Sequence, residues 1–208
     1  MKISLHDVGR KFGRDWIFRH VSLELEAGQV YVVTGPNGSG KSTLLQIVAG
    51  NLPLTEGTLR YAANGREISG DDVFRYVSLA APYLEMMEEM TLAEAVDFHR
   101  RFKRFRNNLT ASDFITQIGL EAARHKFVRN FSSGMKTRLK LGLACHSDAP
   151  ILLLDEPTSN LDATGIAWYQ RLLSETIASR LVVLCSNQPY EYESFSRILR
   201  IENGRLLS

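Results

Sequence analysis

The chain of 208 residues is 44% hydrophobic, 23% charged and 9% aromatic, ordinary globular usage that excludes a disordered, collagen-like or disulfide-scaffold chain. Lys and Arg number 25 against 23 Asp and Glu, and a net charge of +2 gives no overall footprint for nucleic acid or an anionic membrane. The length predicts one domain, or one with a small subdomain, burying about 70% of its unfolded surface.

The longest apolar runs, Ile151–Leu154 and Leu181–Cys185, fall far short of the ~18 residues that span a bilayer. Met1–Asp7 lacks the apolar stretch of a signal peptide, so none is expected. Cys145 and Cys185 sit in apolar or mixed surroundings and are expected as reduced core residues. The five histidines are scattered and show no Cys/His metal spacing.

In chain order, residues 1–34 carry short alternating segments. Val21–Glu26 alternates as a half-buried strand does, and Val30–Val33 is a continuous run suited to a strand covered on both faces. A glycine-rich loop leads into a predicted helix from about Lys41 to Ala49, with Gly50 at its C-terminal cap and Pro53 beyond. Gly57–Tyr61, a turn at Asn64-Gly65 and Tyr76–Leu79 predict short strands. Residues 91–145 are mostly helical in pattern, opened by a capping box of Thr91 and Glu94. Ile151–Leu154 predicts a buried strand, 163–178 a helix, Leu181–Leu184 a strand, and 198–207 a hairpin about Asn203-Gly204. The sum is a parallel α/β core interrupted by a helical insertion.

Gly35-Pro36-Asn37-Gly38-Ser39-Gly40-Lys41-Ser42-Thr43 matches G-x-x-x-x-G-K-[ST] between a predicted strand and a predicted helix. Gly35, Asn37, Gly38, Ser39, Gly40 and Thr43 build a loop whose backbone N–H groups turn inward on phosphate oxygens. Lys41 adds a positive charge for the β- and γ-phosphates, and Ser42 a hydroxyl for Mg²⁺. At the end of the strand 151–154, Asp155 is expected to hold Mg²⁺ and Glu156 to polarise the attacking water. A phosphate loop alone does not separate kinases, GTPases and ATPases.

The further motifs decide among these. Phe131-Ser132-Ser133-Gly134-Met135-Lys136 precedes the acidic strand and resembles an L-S-G-G-Q signature, matching it at Ser132 and Gly134. Ser159-Asn160-Leu161-Asp162 resembles a D-loop. With the phosphate loop and the acidic pair, this ordered set resembles the ATP-binding subunit of an ABC transporter over almost the whole chain. The resemblance implies a P-loop NTPase (ABC ATPase) α/β core with an antiparallel β subdomain and a helical insertion. It implies a single domain over 1–208, with the core at 1–80 and 146–208 and the helical subdomain at about 81–145. It also implies ATP and Mg²⁺ as cofactors. Phe12, upstream of the phosphate loop, is implied as the aromatic stacked on adenine, ahead of Trp16.

The partners implied are a second ATPase subunit and membrane-spanning permease subunits, with no nucleic acid. The two cassettes, identical or different, pack head to tail, so that Ser132, Ser133 and Gly134 of one face the phosphate loop of the other. The location implied is cytoplasmic, peripheral on the inner face of the membrane. Transported substrate and direction are left open.

Two departures bear on chemistry. The family's metal-binding glutamine is missing after Tyr76–Leu79, where the chain reads Ala80-Ala81-Pro82-Tyr83. The family's switch histidine is replaced by Asn187, just past the predicted strand Leu181–Leu184. An asparagine amide donates to a γ-phosphate but neither carries charge nor exchanges a proton, so the expectation is a competent but slow ATPase. Ser186-Asn187-Gln188-Pro189 also resembles the Thr-His-Gln-Pro of cytochrome c maturation haem-exporter ATPases. The alternatives are a partly degenerate nucleotide-binding regulator and a soluble ABC ATPase acting on nucleic acid or ribosomes, whose relatives usually carry two cassettes or a long coiled coil.

Tyr83–Met90 holds three methionines among three glutamates and reads as an adaptable partner surface, or as core with a solvated edge. Arg100–Arg106 interleaves basic and aromatic residues, a pattern that suits nucleic acid or anionic lipid but is more often a solvated face with two core aromatics, and Lys136, Arg138 and Lys140 read as a solvated basic face.

Overall fold

The computed structural model describes residues 1–178 and 180–207. The chain divides into two compact units, Met1–Leu79 with Pro150–Glu156 and Ile177–Ser208, and Ala80–Ala149 with Pro157–Thr176.

Among the described residues, the first unit holds two sheets. One is built from β1 (Lys2–Phe12), β2 (Asp15–Glu26), β4 (Glu56–Ala63) and β5 (Arg66–Ile68), in the order β2-β1-β4-β5 with every neighbouring pair antiparallel. Where short segments were expected, β1 and β2 form one long hairpin. Its alternation is broken where the β1–β2 register shifts between Leu5 and Val8, beside Asp7 (φ 50°) and His20 (φ 57°) in the left-handed region. The second sheet is built from β3 (Val30–Thr34), β6 (Val77–Ala80), β7 (Ile151–Asp155), β8 (Leu181–Cys185), β9 (Arg197–Glu202) and β10 (Arg205–Leu207), in the order β10-β9-β3-β8-β7-β6.

Strands β9, β3, β8 and β7 pair in parallel. Every residue of β7 and β8 is buried, as the continuous apolar runs require of central strands. Helix α1 (Lys41–Val48) packs Leu44, Leu45, Ile47 and Val48 into the same core as Ile3, Phe18, Val33, Leu153 and Val183. The β9–β10 hairpin turns at Asn203 (φ 50°) and Gly204 (φ 73°), the double positive φ that an Asn-Gly turn supplies. Arg180, just before β8, is buried and donates to the Ser78 hydroxyl at 2.8 Å.

The second unit is helical: α2 (Leu92–Phe102), α3 (Ala111–Gln117), α4 (Ser133–His146) and α5 (Ala163–Thr176). The expected capping box opens α2, with the Thr91 N–H donating to Glu94 Oε2 at 2.8 Å and the Glu94 N–H to Thr91 Oγ1 at 3.3 Å. Thr110 and Ser132 cap α3 and α4, and Asp162 Oδ1 accepts from the Gly165 N–H at 2.7 Å at the start of α5. Leu92, Val96, Phe114, Ile118, Val128 and Leu139 centre the core. Helix α5 groups with this unit, beyond the range of about 81–145 expected for the helical part.

The structure decides three of the sequence readings. Met86 and Met90 pack against this core, leaving Met87, 49% exposed, as the solvated methionine of the segment. Lys140 Nζ donates to the Pro82 carbonyl at 2.9 Å and reaches the Ala81 carbonyl at 3.4 Å, and Lys136 pairs with Glu88. That face of α4 is therefore a tether for residues 81–88 and not simply a solvated basic face. Of the aromatics in 100–106, Phe105 is buried against Phe114 but Phe102 is 74% exposed.

Candidate active site

The phosphate loop bridges β3 and α1 in the first unit. Gly35 (φ 145°) has no room for a side chain, since a Cβ would lie 2.3 Å from the Ile201 carbonyl. Gly40 (φ 105°) caps α1 in the left-handed region, and a Cβ there would lie 2.6 Å from Ile17 Cγ2. Ser39 N–H donates to the Pro36 carbonyl at 3.1 Å, closing the turn around Asn37 and Gly38. The first-turn N–H groups of α1, at Lys41, Ser42 and Thr43, point where an anion at a helix N-terminus is favoured.

Lys41 is buried, and its Nζ donates to the carbonyls of Gly35 at 2.8 Å and Pro36 at 3.2 Å, drawing the ammonium over the loop. The Ser39 hydroxyl is buried without a partner among the described residues. A loop that gathers a cation and an unsatisfied hydroxyl at a helix N-terminus is chemically suited to phosphate oxygens.

Asp155 ends β7, paired in register with Cys185, and is 2% exposed. Burial pushes its pKa up first, with Glu156 adding to the rise, against the Ser42 hydrogen bond and the Lys41 charge. Its Oδ1 has no hydrogen-bond partner among the described residues. An orphaned, buried carboxylate oxygen beside the Ser42 hydroxyl fits a hard divalent cation such as Mg²⁺. Glu156 is exposed, sits at φ 42° and is held there by its N–H donating to the Cys185 carbonyl at 2.9 Å. A glutamate in that region costs about 1–3 kcal/mol, strain that gathers at functional sites. Both cysteines are buried as thiols, and burial drives the Cys185 thiol well above its usual pKa, an inert core position.

Asn187 follows β8 and reaches the loop from the other side. Its Oδ1 accepts from the Gly35 N–H at 3.2 Å, and its Nδ2 donates to Asn37 Oδ1 at 3.3 Å. Asn37 thus orients the amide, a role that sequence reading missed; the two lie 150 residues apart, and no spacing rule joins them. Phe12 ends β1, 47% exposed, with the Arg10 guanidinium 4.5 Å from its ring centre. Trp16 is already engaged by Arg19 at 4.2 Å and Lys11 at 5.4 Å, which leaves Phe12 the freer ring.

Ser132, Ser133 and Gly134 lie in the helical unit, at the start of the fourteen-residue α4. Ser132 Oγ accepts from the Met135 N–H at 3.2 Å, which leaves its hydroxyl hydrogen to donate elsewhere. Both serines are exposed, and Gly134 passes close to Asn160, whose carbonyl would be 3.2 Å from an added Cβ. Asp162 of the D-loop-like segment is occupied as the α5 cap, and the Gly165 N–H and Thr164 hydroxyl lower its pKa.

The family model described as ABC transporter matches residues 18–159, about two thirds of the chain. The chain belongs to the ABC transporter family. It is a nucleotide-binding subunit. It is 34% identical over 197 residues to the cytochrome c biogenesis ATP-binding export protein CcmA of Mesorhizobium japonicum, covering 93% of this chain and 95% of that protein. Among solved structures, the ATP-binding subunit of an ABC transporter superposes with a TM-score of 0.85 at 20% identity, covering 99% of this chain and 88% of that one. A dimeric ATP-binding cassette in a post-hydrolysis state, bound to ADP and Pi, gives 0.82 at 22% identity, covering 99% and 97%. These likenesses fix the fold as an ABC ATPase cassette, an α/β architecture with antiparallel and parallel sheets. No helix among the described residues is long and apolar enough to cross a membrane.

Proposed function

We propose that this nucleotide-binding subunit hydrolyses ATP between two cassettes packed head to tail, and so powers transport by separate membrane-spanning subunits. The observation that carries the reading is the convergence in one unit of the buried Lys41, the Asp155 carboxylate with its Oδ1 unpartnered, and the strained Glu156 around one phosphate loop. Backbone N–H groups at Gly38–Thr43 cradle the phosphates, and Lys41 leaves the Gly35 and Pro36 carbonyls for the β- and γ-oxygens. Ser42 and Asp155 would hold Mg²⁺, which would neutralise charge on the phosphates. Glu156 accepts a proton from the attacking water as general base. Asn187 donates its amide to the γ-phosphate, and Phe12 stacks on the adenine.

The other cassette supplies Ser132, Ser133 and Gly134 to the same phosphates, their hydroxyls and helix N-terminus adding donors. Turnover is slow, because Asn187 offers no proton exchange and Ala80-Ala81 no side-chain ligand. The subunit sits against the inner face of the membrane. The likeness to CcmA, a protein named for export in cytochrome c biogenesis, and the Ser186–Pro189 segment support an export system of that kind. Steady-state ATP hydrolysis by the purified chain, beside Lys41→Ala, tests the reading. Activity in the wild type and its loss in the variant are expected; full activity in Lys41→Ala would overturn it.

A further inference from the structure

The hydrolytic reading leaves unused the most basic stretch of the chain. Between Arg100 and Arg106 stand Arg100, Arg101, Lys103, Arg104 and Arg106 with no acidic residue, in a chain of net charge +2. In the helical unit, the end of α2 and the turn after it enclose a cleft of about 460 Å³ lined by Asp97, Arg100, Arg101, Arg104, Phe105 and Asn108. Of the lining residues, Phe105 is buried.

The charges in the cleft are only partly answered. Arg100 reaches Asp97 at 3.7 Å, while Arg106, outside the lining, donates to the Thr176 carbonyl at 2.8 Å. Arg101 and Arg104 are exposed and have no side-chain partner among the described residues. The turn carries two successive left-handed asparagines, Asn107 and Asn108, both at φ 54°. Such a pair is strained, and it delivers Asn108 to the cleft wall beside the arginines. Phe102, which follows the cleft-lining Arg101 in the chain, is 74% exposed, its ring centre 5.0 Å from that of Phe98.

Guanidinium forks are shaped for phosphate oxygens. Cations around a cleft, with an unburied aromatic next to one of them in the chain, match the headgroup layer of an anionic membrane, where phosphates lie just outside apolar acyl chains. We propose that this cleft binds the phosphates of anionic phospholipids, with Phe102 entering the headgroup layer, and so holds the helical unit against the membrane. The proposal rests on the reading of the chain as a membrane-associated subunit. It adds a contact with lipid to the contacts with protein partners.

The test is co-sedimentation of the full chain with vesicles of phosphatidylcholine alone or mixed with phosphatidylglycerol, with ATP hydrolysis measured on the same preparations. Binding to the anionic vesicles only, weakened by salt, is expected. An arginine near an anionic surface is worth about fivefold in partition, so Arg101→Ala with Arg104→Ala weakens binding about 25-fold. Phe102→Ser weakens it separately. Neither variant changes ATP turnover in solution, since these residues lie outside the phosphate loop.

Equal binding to both vesicle types, or binding indifferent to Arg101 and Arg104, overturns the proposal. So does arginine-dependent binding of inorganic phosphate or of an RNA oligonucleotide by a chain that ignores anionic vesicles. A chain that hydrolyses ATP but ignores the vesicles sinks this proposal and leaves the functional reading standing. Arginine-dependent vesicle binding by a chain without ATPase activity does the reverse.

Discussion

Protonation of His99 is expected to destabilise the helical unit. The ring lies between α2 and the end of α4, tilted 25° against Phe105 with centres 5.8 Å apart, and its Nε2 is 2.8 Å from Ser147 Oγ. The Ser147 hydroxyl donates to the Leu143 carbonyl at 2.6 Å, so it accepts from His99, which fixes the neutral tautomer with its hydrogen on Nε2. Burial first, then the Lys103 charge, lowers the His99 pKa from 6.5 to about 4. The unfolded chain therefore takes up the proton near pH 6.5 and the folded chain only near pH 4. The stabilisation of the neutral ring is whole above pH 6.5, is lost progressively as pH falls, and levels off below about pH 4. At about 1.4 kcal/mol per pH unit, the full loss is roughly 3 kcal/mol, and the loss between pH 7 and pH 5 about 2 kcal/mol. Urea unfolding of wild type and His99→Gln at both pH values isolates the effect, because all other titrating groups are shared. The stability gap between the two proteins should shrink by this amount from pH 7 to pH 5. A gap that stays constant would refute the reasoning, and one that widens would show that the fold favours the charged ring.

Two other substitutions read the packing and the site. A Cβ at Gly142 of α4 would lie 2.4 Å from Ile118 Cγ2 and 3.1 Å from Phe114 Cζ. Gly142→Ala should cost about 1–3 kcal/mol despite better helix propensity, seen as a lower Tm; an unchanged Tm would show that the helices part easily. Asn187→His should raise ATP turnover by restoring a group that exchanges protons. An unchanged or lower rate would show that the pairing of Asn187 with Gly35 and Asn37 is itself tuned to this loop.

Where one local rule governed, the structure was legible in the sequence. The apolar runs of β3, β7 and β8, the Thr91–Glu94 box and the Asn203-Gly204 turn depend on neighbours along the chain, and each formed as expected. The glycines of the phosphate loop were legible for the same reason. What stayed hidden depended on residues far apart. The β1–β2 hairpin hides behind register shifts at Asp7 and His20, whose left-handed backbone interrupts strand alternation. Whether Met86 and Met90 face a partner or the core stayed open because their neighbours are acidic, and only the packed helices show them partly buried against the core. Lys136 and Lys140 read as solvated because their partners, Glu88 and the Ala81 and Pro82 carbonyls, lie far earlier in the chain. The Asn37–Asn187 bond and the Asp155 oxygen without a donor required atomic positions.

In the proposed function, Glu156 at the end of β7 is the base that activates water. The most direct test is the steady-state rate of ATP hydrolysis by the purified chain beside Glu156→Gln, together with ATP binding by both. Expected are a measurable wild-type rate, its collapse in Glu156→Gln by about a hundredfold or more, and retained ATP binding in the variant. A variant that hydrolyses ATP at the wild-type rate would contradict that role and move the base elsewhere in the site.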